Sequence, residues 1–218
     1  AESFLQNQFS NDITKLENSE IQLNAYCQHQ GKIIGLFWVM RYDEYFLISF
    51  PNDLLEVIKS RLQMFVIMSD VVIDDISASF NQIGLIDERQ KNAYYINDSL
   101  SLLIVSSADQ NDFKIENQSV WDLACINFFL PEVFLVTSEK LVPQMLNLDI
   151  DEIGVNFSKG CYPGQEVVAR LHYLGSSKRR LFSFKADYEM QVGDSLYCAT
   201  SKTALARGDR YNGRGIVV

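Results

Sequence analysis

The chain has 218 residues, 47% of them hydrophobic, which is enough for one large domain or two small ones with a buried core. Its formal net charge of −9 argues against a broad phosphate-binding surface, because such surfaces need clustered lysine and arginine. No apolar run reaches the roughly 20 residues of a membrane span, and the first residues lack the features of a secretory signal, so we expect a cytoplasmic protein without membrane contact.

The sequence predicts no metal site. Its four cysteines and two histidines are widely spaced, at Cys27, Cys125, Cys161, Cys198, His29 and His172. Without a Cys-x-x-Cys pair they form neither a zinc site nor a self-contained iron–sulfur site, and a reduced, intracellular protein is expected. If a cluster is involved, Cys161 would supply at most one ligand and partner proteins would supply the others.

Taken in chain order, the first part of the sequence predicts an α+β layer, in which a helix packs on antiparallel strands. The helix is indicated by apolar residues at helical spacing from Leu54 to Leu62. The predicted elements of this part are a helix at residues 1–8, strands at 21–27, 33–42 and 45–50, and a helix at 52–63.

The second part of the chain continues the mixed pattern, and it lacks the repeated βαβ units and G-x-G-x-x-G of a nucleotide-binding fold. A three-residue basic run, Lys178-Arg179-Arg180, is typical of a solvated edge. Further predicted elements are strands at residues 65–73, 83–86, 93–96, 101–105, 179–186 and 195–199, helices at 118–129 and 164–173, and an irregular stretch at 132–150.

The most informative segment is residues 159–170, with the sequence KGCYPGQEVVAR. It places Cys161 in a turn between Gly160 and Gly164, and glycines let the backbone approach a ligand closely. Lys159 precedes the cysteine by two residues and a predicted helix follows it. A helix start and a nearby cation both favour the thiolate form of cysteine.

This pattern, KGCYxGQE, resembles the signature of the YgfZ family. Residues 4–12, FLQNQFSND, resemble a second family motif, FLQGQxTxD, although Asn7 and Ser10 replace the family's Gly and Thr. A third stretch, residues 141–149, resembles the family's VPQxxNLD. The similarity runs from residue 4 to about residue 182.

The resemblance implies a folate-binding protein linked to the maintenance of iron–sulfur clusters, related to the aminomethyltransferases of glycine cleavage. The implied fold is α+β, with two intimately packed subunits in residues 1–175, divided near residues 65–70, and a short C-terminal β-barrel remnant in residues 176–218. The implied cofactor is tetrahydrofolate or a derivative. The implied partners are iron–sulfur enzymes, including tRNA-modifying ones, or assembly proteins, with no direct contact to nucleic acid.

The resemblance also assigns roles to residues. Cys161 would be the key thiol, either a nucleophile or a transient cluster ligand, and Lys159 would favour its thiolate. The other residues expected to shape or bind the folate site are Trp121, Gln8, Asp12, Gln165, Glu166 and Arg170.

Trp121 has two interpretations. An indole can stack on a pterin or aminobenzoate ring, and the family has a W-x-x-x-x-I-x-x-G-x-P segment at the folate site. Here Phe129 stands at the glycine and Asn127 at a position where related proteins often have glutamate. Equally, Trp121 could anchor its helix in the core.

Two alternatives to a folate-binding factor remain open. The first is a folate-dependent one-carbon transferase, which would use an aspartate pair that residues 31–37 do not contain. The second is an interaction module without a ligand, which Asn127 and Phe129 suggest. Enzymatic activity is therefore not expected, although the sequence leaves it open.

Overall fold

Three antiparallel sheets organise the chain. The computed structural model describes residues 1–67, 69–109, 113–175, 177–185, 190–198, 201–211 and 214–217, with side chains described up to residue 194. Within these residues the sheets and helices alternate along the chain, so the mixed α+β class expected from the sequence is confirmed.

The first sheet contains β1 (Ile21–Cys27), β2 (Ile33–Tyr42) and β3 (Tyr45–Ser49), in that order. Strand β2 is buried along most of its length because the N-terminal segment and helix α2 (Leu55–Val66) bury its apolar residues. The short helix α1 (Glu2–Gln6) begins the chain.

The second sheet has the order β4-β6-β5, with β4 at Phe80–Ile86, β5 at Tyr94–Tyr95 and β6 at Leu100–Ser106. Helix α3 (Gln118–Asn127) lies against β4. The contact is close because Gly84 of β4 has no side chain, and the Trp121 ring fills the space that a Cβ would occupy.

The third sheet follows helix α4 (Gln165–Leu174), which the sequence predicted to within one residue. Its order is β7-β10-β9-β8, and its strands are β7 (Phe182–Lys185), β8 (Val192–Cys198), β9 (Ser201–Tyr211) and β10 (Arg214–Val217). The predicted strands at 179–186 and 195–199 overlap β7 and β8, although residues 186 and 199 lie outside the described residues. The predicted domain division at residues 175 and 176 stays a prediction.

The main core joins the first sheet, α2 and the N-terminal segment. Its centre is aromatic: the Phe9 ring meets the rings of Tyr26 and Phe37 edge-on, at centroid distances of 5.9 and 5.1 Å. Each fully buried side chain of this size contributes about 1.5–3 kcal/mol. This core therefore fixes residues 4–16 against β1 and β2 and so positions the N-terminal motif.

The strand predicted at residues 65–73 is wrong. Helix α2 extends to Val66, and the described residues between it and β4 contain no strand. The apolar run that suggested a strand continues the helix without a breaking residue, and it is exposed at Met64 and Ile67. The irregular stretch at 132–150 contains short 3-10 turns, and Pro143 begins one of them, where its missing N–H is tolerated.

Candidate functional site

The N-terminal motif folds into a compact polar turn after α1. The amide of Gln6 donates from Nε2 to Asp12 Oδ1 over 2.9 Å and accepts from the Ile13 N–H over 2.8 Å. Asp12 caps the 3-10 turn Ile13–Lys15 by accepting from the Thr14 N–H and hydroxyl. Asp12 therefore stabilises this turn through its own side chain.

Asp12 is held ionised by this network. Burial raises its pKa, whereas the hydrogen bonds from Thr14 and Gln6 lower it, and the net shift is downward. Lys15 adds a pair at 3.9 Å, but an exposed lysine at that distance contributes little. The turn therefore presents a buried negative charge close to the N-terminal backbone.

The side chain of Lys159 is the physical link between the two motifs. It is buried, and its ammonium donates to the backbone carbonyls of Gln6 (2.7 Å), Phe9 and Asn11 (2.9 Å). Burial lowers the pKa of Lys159 to about 8, and the Asp12 carboxylate opposes this shift. An ammonium has three N–H bonds, so these three carbonyls use all of its donors.

The sequence predicted that Lys159 would favour the thiolate of Cys161, but its side chain points elsewhere. The ammonium points into the N-terminal segment, and within the described residues it donates nothing to Cys161. The sequence could show that the two residues are close in the chain, but not that the lysine side chain turns inward. Its observed role is to anchor the start of the cysteine loop, residues 157–164.

The cysteine loop packs on the turn between β1 and β2. Gly164 has a φ of +81° and forms the N-cap of α4; a Cβ there would lie 2.3 Å from the Gln28 carbonyl oxygen and 2.9 Å from the Gly31 Cα. Only glycine allows both the backbone angle and this approach. Gly160, by contrast, faces open space, and a Cβ added there would meet nothing within 4 Å. The loop is thus fixed at its end and open at its middle.

Cys161 is an exposed free thiol on this open part of the loop, whereas Cys27 is buried. Burial raises the pKa of Cys27 to about 12, so that thiol stays protonated and inert. Tyr162, the next residue after Cys161, is buried, and its ring is 5.3 Å from the Lys159 ammonium. Burial raises the pKa of Tyr162, so it acts here as a neutral packing residue.

The three polar residues expected on α4 face the solvent side of the loop. Gln165 donates long hydrogen bonds to the carbonyls of Lys159 and Gly160, at 3.5 and 3.4 Å. Glu166 and Arg170 are exposed and make no ion pair within the described part of the chain. The structure therefore brings Gln6, Asp12, Lys159 and Gln165 together around the loop and leaves the other two at its edge.

Gln8 carries a polar atom without a partner. Its side chain is buried and its Oε1 has no hydrogen-bond partner, as is also true of Ser101 Oγ and Gln144 Oε1 among the described residues. An unpaired buried acceptor costs about 1–3 kcal/mol.

Trp121 lies in a different place. Its indole packs on Gly84 of β4, and within the described residues no hydrogen bond or ring contact joins it to the cysteine loop. It is half-buried, as both interpretations of the sequence allow. Asn127 is exposed at the end of α3, and Phe129 has a left-handed φ of +55°, which accounts physically for a glycine at this position in the family motif.

Sequence reasoning missed a second polar cluster near the loop. Asp149 is almost fully buried and forms a two-pronged ion pair with Arg180, and its Oδ2 also lies 3.7 Å from His172 Nδ1. Arg180 also donates to the Gln144 carbonyl. Arg180 is therefore a structural residue rather than part of a solvated edge. Nothing in the local sequence indicates that it pairs with Asp149, except that both residues lie in stretches that resemble the family.

Ser10, Asn11 and Asn156 were also missed, and they fasten the same region. The Ser10 hydroxyl donates to the Gly154 carbonyl and accepts from the Ala25 N–H, and Asn11 Nδ2 donates to the carbonyls of Leu23 and Ile153. The Asn156 N–H donates to the Ser10 carbonyl. These contacts tie the residues before the cysteine loop to β1, so the loop is braced from two directions.

Among the described residues, no group of three or more His, Cys, Asp or Glu side chains is arranged to hold a metal ion. In the same residues, no helix combines the length and the apolar character that crossing a membrane requires.

Comparison with solved structures identifies the fold of the chain. The glycine cleavage aminomethyltransferase T of Bartonella henselae superposes with a TM-score of 0.70 over 99% of this chain and 72% of its own, at 9% sequence identity. The chain therefore has the aminomethyltransferase fold, here with a braced, exposed cysteine loop. No family model matches the sequence.

Sequence relatives then identify the family. A protein of Colwellia psychrerythraea named tRNA-modifying protein YgfZ is 30% identical over 217 residues, covering 85% of this chain and 66% of the relative. An uncharacterised protein of Haemophilus influenzae is 29% identical over 204 residues, covering 90% and 72%. The chain belongs to the YgfZ family, and it spans about two thirds of the length of these relatives.

Proposed function

We propose that this protein is a folate-binding factor that supports the assembly or repair of iron–sulfur clusters in other enzymes, including tRNA-modifying ones. The observation on which the proposal rests is the state of Cys161: an exposed thiol on a loop that Lys159 and Gly164 hold in place. A thiol held in this way can attack a partner's sulfur or bind iron briefly without unfolding its surroundings. Membership of a family whose relatives are named tRNA-modifying proteins supports the choice of client.

Cys161 acts as the reactive group in this proposal. Its thiol is exposed on the loop that leads into the N-terminus of α4, so a partner can approach it from solvent. Lys159 contributes indirectly, by fixing the loop. Gln165 limits the movement of the loop backbone through its contacts to two loop carbonyls. Glu166 and Arg170 would set the charge that an approaching partner meets.

Tetrahydrofolate or a derivative is the proposed cofactor, and the chemistry of two residues supports this choice. Gln8 offers a buried carbonyl oxygen without a partner, which can accept from an amino or ring N–H group of a pterin. Trp121 offers a half-buried indole for stacking. Asp12 is committed to its turn, so we assign it to holding the shape of the site rather than to direct contact.

The folate proposal is tested by titrating the protein with tetrahydrofolate in a Trp38→Phe background, in which Trp121 fluorescence is observed alone. Ligand at about 100 times its Kd should raise the free energy of unfolding by about 2.7 kcal/mol. The variant Gln8→Met has a similar shape without the amide. It should leave the stability of the ligand-free protein equal or higher, because it removes an unpaired buried acceptor, and it should weaken folate binding about tenfold or more.

The Gln8→Met variant and the tetrahydrofolate titration together separate a structural role of Gln8 from a role in folate binding. A loss of more than about 1 kcal/mol in the ligand-free Gln8→Met variant means that the amide is structural. Unchanged fluorescence and unchanged stability at saturating tetrahydrofolate contradict folate binding, and they favour the interaction module without a ligand.

The role of the thiol is tested in cells that lack the native gene. Cys161→Ala should fold normally and fail to restore the activity of iron–sulfur enzymes. Ser158→Ala is the matched control, because Ser158 is exposed on the same loop and its hydroxyl makes no hydrogen bond in the described part of the chain. If Cys161→Ala complements as well as Ser158→Ala, the thiol has no part in the function.

A further inference from the structure

The charges of this acidic chain are strongly segregated. Residues 153–185 contain six of the 19 basic residues and only one of the 28 acidic residues, Glu166. One of the six, Lys159, is buried, and another, Arg180, is paired with Asp149. The exposed remainder therefore carries a local positive charge that the net charge of −9 conceals.

This charge lies around the second half of α4 and the segment that follows it. Asp149 contacts both His172 on α4 and Arg180 just before β7, so these two elements are neighbours. Arg170 is exposed on the helix, and Lys178 and Arg179 are exposed on the returning segment. None of these three cations is in an ion pair within the described residues.

Exposed aromatic rings lie among these cations. The Phe157 and His172 rings are stacked at a centroid distance of 3.8 Å, and the Tyr173 ring meets both edge-on. Tyr173 is 66% exposed, and Phe182 is 62% exposed on the edge strand β7. Phe157 and His172 hold the Tyr173 ring in a fixed orientation, so this ring is presented to solvent beside the exposed cations rather than as an isolated side chain.

We propose that this basic-aromatic surface, formed by Arg170, Tyr173, Lys178, Arg179 and Phe182, binds an unpaired segment of RNA. Recognition of single-stranded nucleic acid combines cations along the phosphate backbone with rings on which bases stack, and both are present here. An acidic protein would also pair with the cations, so the stacking of bases on the two exposed rings is the interaction that favours RNA. The proposal goes beyond the function proposed above and does not rest on it, and it departs from the expectation that this protein makes no direct contact to nucleic acid.

This surface lies on the same helix that begins next to the cysteine loop. Helix α4 starts four residues after Cys161, and its ten residues span about 15 Å. RNA bound along the helix would therefore pass within reach of the thiol. Glu166 lies between them, and its exposed carboxylate opposes the RNA backbone at that end.

The test measures the binding of a fluorescent RNA hairpin with an unpaired loop, in about 100 mM salt, by anisotropy. A fully paired RNA of the same length is the comparison ligand. We expect a Kd in the micromolar range for the hairpin and weaker binding of the duplex. The double variant Lys178→Ala/Arg179→Ala should weaken binding about tenfold and reduce the salt dependence by roughly 1.4 in log–log slope.

Two more variants distinguish stacking from charge. Tyr173→Ala should weaken hairpin binding at least about fivefold without changing the salt dependence. Glu166→Gln should strengthen it. The matched control is Lys91→Ala/Lys114→Ala, which removes two exposed lysines from the region of the second sheet and changes the net charge equally.

The proposal is overturned if the hairpin does not bind at micromolar concentration, if it binds no better than the duplex, or if the control variant loses as much affinity. It is also overturned if a glutamate-rich peptide binds this surface, with losses in the same variants, while RNA does not. That result would assign the surface to an acidic protein partner.

Discussion

Replacing Gly164 with alanine should destabilise the protein far more than the same change at Gly160, four positions earlier in the cysteine loop. The two glycines differ in both backbone angle and surroundings. Gly164 has a φ of +81° and touches the backbone of Gln28 and Gly31, whereas nothing lies within 4 Å of a side chain at Gly160. The comparison therefore tests whether the β1–β2 turn is the support of the loop.

The cost at Gly164 has two parts. A left-handed backbone costs an L-residue about 1–2 kcal/mol. The new Cβ would lie 2.3 Å from the Gln28 carbonyl oxygen, so the backbone must move by about 1 Å to reach an ordinary contact distance. Overpacking of this kind costs about 1–3 kcal/mol, which gives a total of about 2–5 kcal/mol. Gly160→Ala should stay within about 1 kcal/mol of the wild type and could stabilise slightly.

Urea unfolding at constant m-value measures both changes. Alkylation of Cys161 in the folded variants adds a local measurement, because displacement of the α4 start should alter the reactivity of the thiol. If Gly164→Ala loses less than about 1 kcal/mol, or no more than Gly160→Ala, the loop is not held by the β1–β2 turn and the description of the site is wrong.

Three further predictions concern single residues. Cys161 should react with an alkylating agent faster than Cys27 in the folded protein, as followed by mass spectrometry, because burial raises the Cys27 pKa to about 12; faster labelling of Cys27 would contradict this. Phe129→Gly should be about 1 kcal/mol more stable than Phe129→Ala, because both lose the ring and only glycine is relaxed at a φ of +55°; equal urea midpoints would contradict it. Because the pKa of Lys159 falls from 10.5 to about 8, the unfolded state binds more protons above pH 8, and the free energy of unfolding should rise with pH by about 1 kcal/mol between pH 8 and 9. Lys159→Met should lack that rise, and an identical pH profile in this variant would refute the assignment.

The sequence predicted the positions of the two motifs well because their residues make local structure. Asp12 caps a turn within three residues, and Gly164 begins α4, and both follow from the chemistry of the residue itself. The α+β class followed from alternating strands and amphipathic helices for the same reason. The strand predicted at residues 65–73 failed because a short apolar run suits a helix end as well as a strand, and only the tertiary contacts of α2 decide between them.

The sequence could not predict contacts between distant segments. Asp149 and Arg180 are 31 positions apart, and nothing local distinguishes them from solvated charges. The place of Trp121 against Gly84 is equally non-local, because it depends on where α3 crosses β4. The exposure of neighbouring residues was also not predictable. The basic run at residues 178–180 contains two exposed cations, Lys178 and Arg179, and one cation, Arg180, that is paired with Asp149.

Lys159 shows why the two motifs work as a unit although about 150 residues separate them. Gln6 is the last residue of α1, and the final carbonyls of a helix have no partner within it. The Lys159 ammonium donates to the Gln6 carbonyl and to two more carbonyls, of Phe9 and Asn11, in the turn that follows. The N-terminal motif therefore holds the start of the cysteine loop by accepting hydrogen bonds from Lys159. It follows that the Lys159 ammonium, whose three donors are all engaged by backbone carbonyls, is not available to the Cys161 thiol.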